Sequence, residues 1–111
     1  MATQNLSSGE ALGLIETNSL PAMISACDAA VKAADVAVVS FERIGCAMLT
    51  CSIRGDVASV RAAIDAAALA AAALNGLVGS HVIARPEGSI ESILPVSANT
   101  PGTAIDVDCG C

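Results

Sequence analysis

Five cysteines and a single histidine are the side chains of this sequence best suited to metal binding, redox chemistry or nucleophilic catalysis. The cysteines are irregularly spaced and include no Cys-x-x-Cys pair; they are Cys27, Cys46, Cys51, Cys109 and Cys111. An odd number of cysteines at such spacings is typical of reduced thiols in a cytosol rather than of a disulfide framework. The start of the chain has no basic segment followed by an apolar one, so it does not predict a signal peptide.

Cys46 lies in the stretch RIGCAMLTCSI, where a glycine separates two β-rich runs and predicts the turn of a hairpin. Cys46 and Cys51 are an odd number of positions apart, so on one regular strand they would point to opposite faces of the sheet. Cys109 and Cys111 are spaced for chelation, but the composition around them is typical of a tail. A metal at Cys46 would therefore need cysteines from other copies of the chain. The alternative is that Cys46 is a small, weakly polar turn residue.

The other candidate groups do not combine into a catalytic arrangement. His81 lies inside a predicted strand, where a lone histidine is most often structural or part of an interface. Asp56 is accounted for as a helix cap, and the segment IRGDV lacks the glycine spacing of a phosphate-binding loop. The sequence therefore predicts a protein without enzymatic activity.

Composition excludes two classes of partner and favours a third. The chain is 54% hydrophobic with one aromatic residue, and its longest uncharged stretch, residues 66–84, is interrupted by Asn75-Gly76 and by Gly79. That interruption argues against a membrane span. The net charge of −6, the five scattered basic residues and the near-absence of aromatic side chains argue against nucleic-acid binding. So little charge on a small domain indicates that much of its surface is buried against a protein partner.

Turn and cap signals divide the chain into strand, helix, strand, strand, helix and strand. The strands are predicted at residues 11–18, 36–44, 47–53 and 77–84. Ser19 and Asp56 are the expected N-caps of the two helices, and Asn75-Gly76 is the expected end of the second. This order predicts a ferredoxin-like split βαβ fold of the α/β (α+β) class, with a four-stranded antiparallel sheet and two main helices. A short C-terminal helix is expected at residues 89–94.

Each main helix has an apolar stripe at helical spacing. The first stripe consists of Leu20, Ile24, Cys27, Val31 and Ala34, and the second of Val57, Val60, Ile64, Ala67, Ala71 and Leu74. Cys27 is thereby predicted as a buried core thiol. At 111 residues the chain has room for one domain, which we expect at residues 10–95 between flexible ends at residues 1–9 and 96–111.

Several motifs, in order and at similar spacing, resemble those of the bacterial microcompartment shell proteins of the single-domain, hexamer-forming (BMC-H) class. They are ALGLIET (11–17), DAAVKAA (28–34), IRGDV (53–57), HVIARP (81–86) and ILP (93–95). The resemblance covers roughly residues 10–95. It implies a structural homohexamer that tiles into the facets of a microcompartment in the bacterial cytoplasm. It also implies other shell proteins and encapsulated enzymes as partners, with small metabolites crossing a central pore.

The resemblance also implies roles for individual residues. Gly45, Cys46 and Ala47 would form the loop around the pore, where the family commonly has Gly-Ser-Gly. Lys32 and Arg85 would lie at the edge between hexamers, although Ala84 replaces the proline that usually precedes this arginine. No cofactor is expected by default. In some relatives a pore-loop cysteine binds an iron–sulfur cluster, so a cluster or metal at Cys46, shared between subunits, is the alternative.

Two further functions fit the same sequence. One is a ferredoxin-like regulatory oligomer that binds a small molecule in clefts between subunits. The other is a redox protein that uses its thiols. Formation of sheets at high concentration would favour the shell protein, whereas an oxygen-sensitive chromophore would favour the redox protein.

Overall fold

The computed structural model describes residues 10–94 and 105–107. Its elements are β1 (Ala11–Thr17), α1 (Leu20–Ala33), β2 (Ala37–Ile44), β3 (Met48–Gly55), α2 (Val57–Ala73), β4 (Leu77–Ile83), a 3₁₀ turn (Gly88–Ile90) and β5 (Ile105–Val107). The predicted order of four strands and two helices is confirmed. The short C-terminal helix predicted at residues 89–94 is a single 3₁₀ turn that begins one residue earlier.

The sheet has the order β4-β1-β3-β2-β5. Its first four strands are antiparallel, as the ferredoxin-like prediction requires. β5 adds a fifth strand that was not predicted, and it pairs parallel to β2 through residues 42–44. Three residues are too short a run to give a strand signal in sequence. The flexible ends predicted at residues 1–9 and 96–111 otherwise lie outside the described residues.

Both main helices begin where the sequence predicts, and the second also ends there. The Ser19 side chain accepts a hydrogen bond from the Ala22 amide at 3.3 Å. Asp56 accepts one from the Ser59 amide at 2.9 Å. After α2, Asn75 takes a left-handed conformation with φ of 55°, which ends the helix before β4.

The hydrophobic core lies between the two helices and one face of the sheet. It is built largely of small side chains: Ala22, Met23, Ala26 and Ala30 from α1, and Val60, Ala63, Ile64, Ala67 and Ala71 from α2. β1 and β3 supply Ala11, Ile15, Leu49, Cys51 and Ile53. The facing alanines allow the two helices to pack closely. Most of the stripe predicted for α2 is buried, and only its two ends, Val57 and Leu74, are exposed.

The prediction that the apolar stripe of α1 faces the core was wrong. Leu20, Ile24 and Val31 are 47%, 59% and 48% exposed, and Cys27 is half-buried against the core rather than enclosed in it. The buried face is the neighbouring stripe of alanines and Met23, because small side chains allow α1 to approach α2. The larger apolar residues of α1 are consequently left on the outside of the domain.

Candidate pore loop and edge residues

The hairpin between β2 and β3 is closed by a short loop at residues 45–47. Ile44 pairs with Met48, so these residues form the turn itself. Gly45 and Ala47 both have left-handed backbone conformations, with φ of 66° and 64°. Glycine adopts this conformation without steric cost, whereas alanine does not. Cys46 is therefore held at the tip of the hairpin, where it is exposed.

Substitutions at the two left-handed positions of this loop should change the stability of the protein in opposite directions. Gly45→Ala is expected to lower the free energy of unfolding by about 1 kcal/mol, because it places a Cβ where φ is positive. Ala47→Gly should leave that free energy unchanged or raise it slightly, because it relieves the same strain. Urea denaturation of both variants beside the parent protein measures the difference. Equal stabilities of Gly45→Ala and the parent would show that the turn has another conformation in solution.

The cysteines are not all in the reduced state that the sequence predicts. Cys27 and Cys51 are free thiols, whereas Cys46 is disulfide-bonded. Because a thiolate is the form that binds metal, a metal or iron–sulfur site at Cys46 would require that bond to be reduced. Among the described residues, no three His, Cys, Asp or Glu side chains are grouped as a metal site. A shared site at Cys46 stays a prediction.

The predicted edge residues are both at the surface. Lys32 lies in the last turn of α1 with its side chain 73% exposed, and its Nζ is 2.8 Å from Asp28 Oδ2, one helical turn earlier. Arg85 is exposed just beyond the end of β4. An exposed ion pair of this kind contributes little to the stability of the domain. Lys32 is therefore available for contacts outside the domain.

The strand register places the pore loop and the edge residues at opposite ends of the sheet. Leu12 pairs with Ile83 on one side and with Arg54 on the other, and Arg54 pairs with Ala37. The start of β2 and the end of β4 therefore share one end of the sheet. Lys32 lies in the last turn of α1, five residues before the start of β2, and Arg85 lies two residues after the end of β4. The loop at residues 45–47 closes the other end, roughly 25 Å away for strands of this length.

Arg54 is a structural residue that the sequence analysis missed. Its side chain is completely buried on the sheet face opposite the helices. It donates two hydrogen bonds to the Glu91 carboxylate, at 2.8 and 3.0 Å, and one to the Glu10 carbonyl at 3.1 Å. The hydrogen bonds from Arg54 lower the pKa of Glu91 below its ordinary value. Arg54 thereby ties the segment around the 3₁₀ turn to the sheet.

The same sheet face has a shallow depression of about 250 Å³. It is lined by Leu14, Glu16, Thr50, Gly79, Ser80 and His81. Thr50 donates a hydrogen bond to the Glu16 carboxylate at 3.1 Å, and His81 is exposed at the surface. These side chains do not form a nucleophile with its base.

Comparison with known proteins identifies the class to which this fold belongs. Residues 11–86 match the family model described as the BMC domain. A crystal structure of a microcompartments protein from Desulfitobacterium hafniense DCB superposes with a TM-score of 0.70 at 33% identity. The match covers 80% of this chain but only 51% of that one, so the chain spans about half of the solved protein.

Curated relatives match over most of their length. The bacterial microcompartment shell protein EutM of Salmonella typhimurium is 51% identical over 88 residues, which are 79% of this chain and 92% of EutM. PduA of Citrobacter freundii, a bacterial microcompartment shell protein, is 49% identical over 78% of this chain and 92% of PduA. The carboxysome shell protein CcmK2 of Synechocystis is 43% identical over 78% of this chain and 85% of CcmK2.

This chain belongs to the BMC-domain family of bacterial microcompartment shell proteins. The resemblance inferred from its motifs is thereby confirmed, as is the predicted fold. The family consists of structural shell proteins, so the chain is a structural component of a microcompartment rather than an enzyme. In the part of the chain that the structure describes, neither helix has the length and hydropathy needed to cross a membrane.

Proposed function

We propose that this chain forms cyclic homohexamers that tile into microcompartment facets, with residues 45–47 around a central pore and Lys32 and Arg85 at the outer edge. The observation that carries the proposal is the separation of these two sites to opposite ends of the sheet. A subunit of a disc needs one end at the axis and the other at the rim, and cyclic symmetry repeats that arrangement around the ring.

Exposed apolar side chains support assembly into a larger body. The large hydrophobic residues left at the surface are Leu20, Ile24, Val31, Val38, Ile44, Val57, Leu69, Leu74, Leu77, Val78 and Ile93. Most lie on the two helices and on β4 and β2, the outer strands of the antiparallel sheet, whereas Ile93 follows the 3₁₀ turn. Leu69 and Ile93 are 75% and 79% exposed. Apolar surface of this extent on a small domain is typical of protein interfaces. Neighbouring subunits are the partners that would cover it.

The proposed partners follow from the shell role. Copies of this chain form the disc, and other shell proteins of the same compartment adjoin its edges. Encapsulated enzymes lie on the inner side, and small metabolites cross the pore at residues 45–47. The shell role needs no cofactor. The relatives favour this role over the regulatory oligomer and the redox protein, since those relatives are themselves named as shell proteins.

Lys32→Ala tests the proposed edge. We expect this variant to keep the hexamer, measured by native mass spectrometry, and to need a protein concentration about tenfold higher before sheets appear in electron micrographs. Each edge contact is individually modest, but its repetition around every disc multiplies the effect. The proposal fails if Lys32→Ala dissociates the hexamer itself.

Asp28→Asn is the matched control for this test. It removes the ion pair of Lys32 within α1 but leaves the lysine in place. Sheet formation by Asp28→Asn at the parent concentration would show that the lysine acts between discs. An equal loss in both variants would instead assign the effect to the ion pair within the helix.

A further inference from the structure

Two thiols meet where α1 packs on the sheet. The Sγ atoms of Cys27 and Cys51 are 3.3 Å apart, and the Met23 sulfur is 3.6 Å from Cys27. Cys51 is completely buried in β3, whereas Cys27 is half-buried. Both are free thiols. Neither residue belongs to the pore loop or to the proposed edge, so the shell role does not account for the pair.

The two sulfurs are almost close enough to bond. A disulfide has an S–S distance of about 2.05 Å, so the pair needs to close by only about 1.3 Å. Closure needs only a small movement of α1 toward β3, and Ala26 and Ala30 on the buried face of that helix are small residues. A bond here would close a loop between residues 24 positions apart and would join a helix to the central part of the sheet.

The environments of the two thiols differ, and the difference determines which thiol reacts first with an oxidant. The hydrogen bond between them lowers the pKa of Cys27, against the opposing effect of burial. The same hydrogen bond and burial raise the pKa of Cys51. Cys27 is also the more accessible of the two. Cys27 is therefore the thiol that meets an oxidant first, and Cys51 is the thiol that resolves the product.

We propose that Cys27 and Cys51 are a redox-responsive pair whose disulfide clamps α1 to the sheet under oxidising conditions. With hydrogen peroxide as the oxidant, the Cys27 thiolate attacks a peroxide oxygen and becomes a sulfenic acid as the O–O bond breaks, which releases one water after protonation. The Cys51 thiol then attacks the Cys27 sulfur, the S–O bond breaks and a second water leaves. Two thiol protons and two electrons pass to one peroxide, and a dithiol reductant reverses the reaction.

The test uses the full chain with Cys46, Cys109 and Cys111 replaced by serine, so that only this pair remains. After treatment with hydrogen peroxide we expect both thiols to disappear together, the intact mass to fall by two hydrogens and a Cys27–Cys51 crosslinked peptide to appear. The melting temperature should rise by about 5 °C or more, because the crosslink restricts the unfolded chain, and dithiothreitol should reverse the rise.

Cys27→Ser in the same background is the matched control, and peroxide should leave its melting temperature unchanged. The proposal is overturned if the folded protein keeps both thiols under conditions that oxidise the unfolded chain. It is equally overturned if the products are only linked dimers or higher oxides of Cys27, or if the disulfide forms but lowers the melting temperature. None of these outcomes depends on hexamer or sheet formation, so the proposed shell role is tested separately.

Discussion

Glu91→Ala is expected to lower the free energy of unfolding by about 3 kcal/mol, because it leaves a buried positive charge without its partner. The Arg54 side chain is completely buried and donates two hydrogen bonds to the Glu91 carboxylate. Urea denaturation measures the loss, and a double variant with Arg54→Met and Glu91→Leu should recover much of it, since both charges are then absent.

Glu87→Ala is the control for this prediction. Glu87 is an exposed carboxylate in the same segment, and its side chain accepts hydrogen bonds from the backbone and side chain of Ser89. Its removal should not measurably change stability. A Glu91→Ala variant no less stable than Glu87→Ala would show that the segment around the 3₁₀ turn does not cover Arg54 in solution.

The Arg54–Glu91 pair also predicts a pH dependence. Hydrogen bonds from Arg54 lower the pKa of Glu91 in the folded state. A lowered pKa gives stability that is fully present above the ordinary glutamate value of about 4.3 and is lost as the pH falls through the folded-state value. The stability difference between the parent and Glu91→Ala should therefore be constant near neutral pH and shrink below about pH 4. A difference that grows on acidification would contradict the assignment.

Gly13→Ala is expected to cost about 2–3 kcal/mol of unfolding free energy through overpacking. Gly13 lies in β1 beneath α2, and a Cβ at this position would lie 2.7 Å from Ile64 Cγ1 and 2.8 Å from both Ile53 Cγ1 and Val60 Cγ1. These are branched side chains in a closely packed core, so α2 would have to move away from the sheet. Thermal unfolding of the variant should show a clearly lower midpoint.

Gly79→Ala is the matched control on the neighbouring strand. A Cβ at Gly79 meets no atom within 4 Å. Alanine should there be neutral or stabilise the strand by roughly 0.5 kcal/mol, because it reduces the freedom of the unfolded chain. If both variants lose the same stability, the cost comes from the loss of glycine in a strand and not from the contact with α2.

Local signals in the sequence predicted most of the fold. The caps Ser19 and Asp56 and the left-handed Asn75 are recognisable because each satisfies a requirement of its own helix end. The hairpin at residues 45–47 was found for the same reason. These caps and turns depend on residues within one helical turn of each other, so residues close in sequence are enough to predict where they lie.

Long-range packing could not be read in the same way. The stripe through Leu20, Ile24 and Val31 has helical period. Periodicity alone does not distinguish a helix face that packs in the core from one that packs against another subunit. The buried Arg54 was missed because its partner Glu91 is far along the chain. β5 was missed because three residues pair with β2 without a signal of their own. The separation of the loop from Lys32 and Arg85 likewise required the strand register.

The most direct test of the proposed shell tile is cryo-electron microscopy of the purified full-length protein. We expect six-fold rings in which residues 45–47 of every subunit lie nearest the axis, while Lys32 and Arg85 lie at the outer rim and face neighbouring rings. A monomer, a ring with another number of subunits, or a hexamer with the loop at its rim would contradict this account.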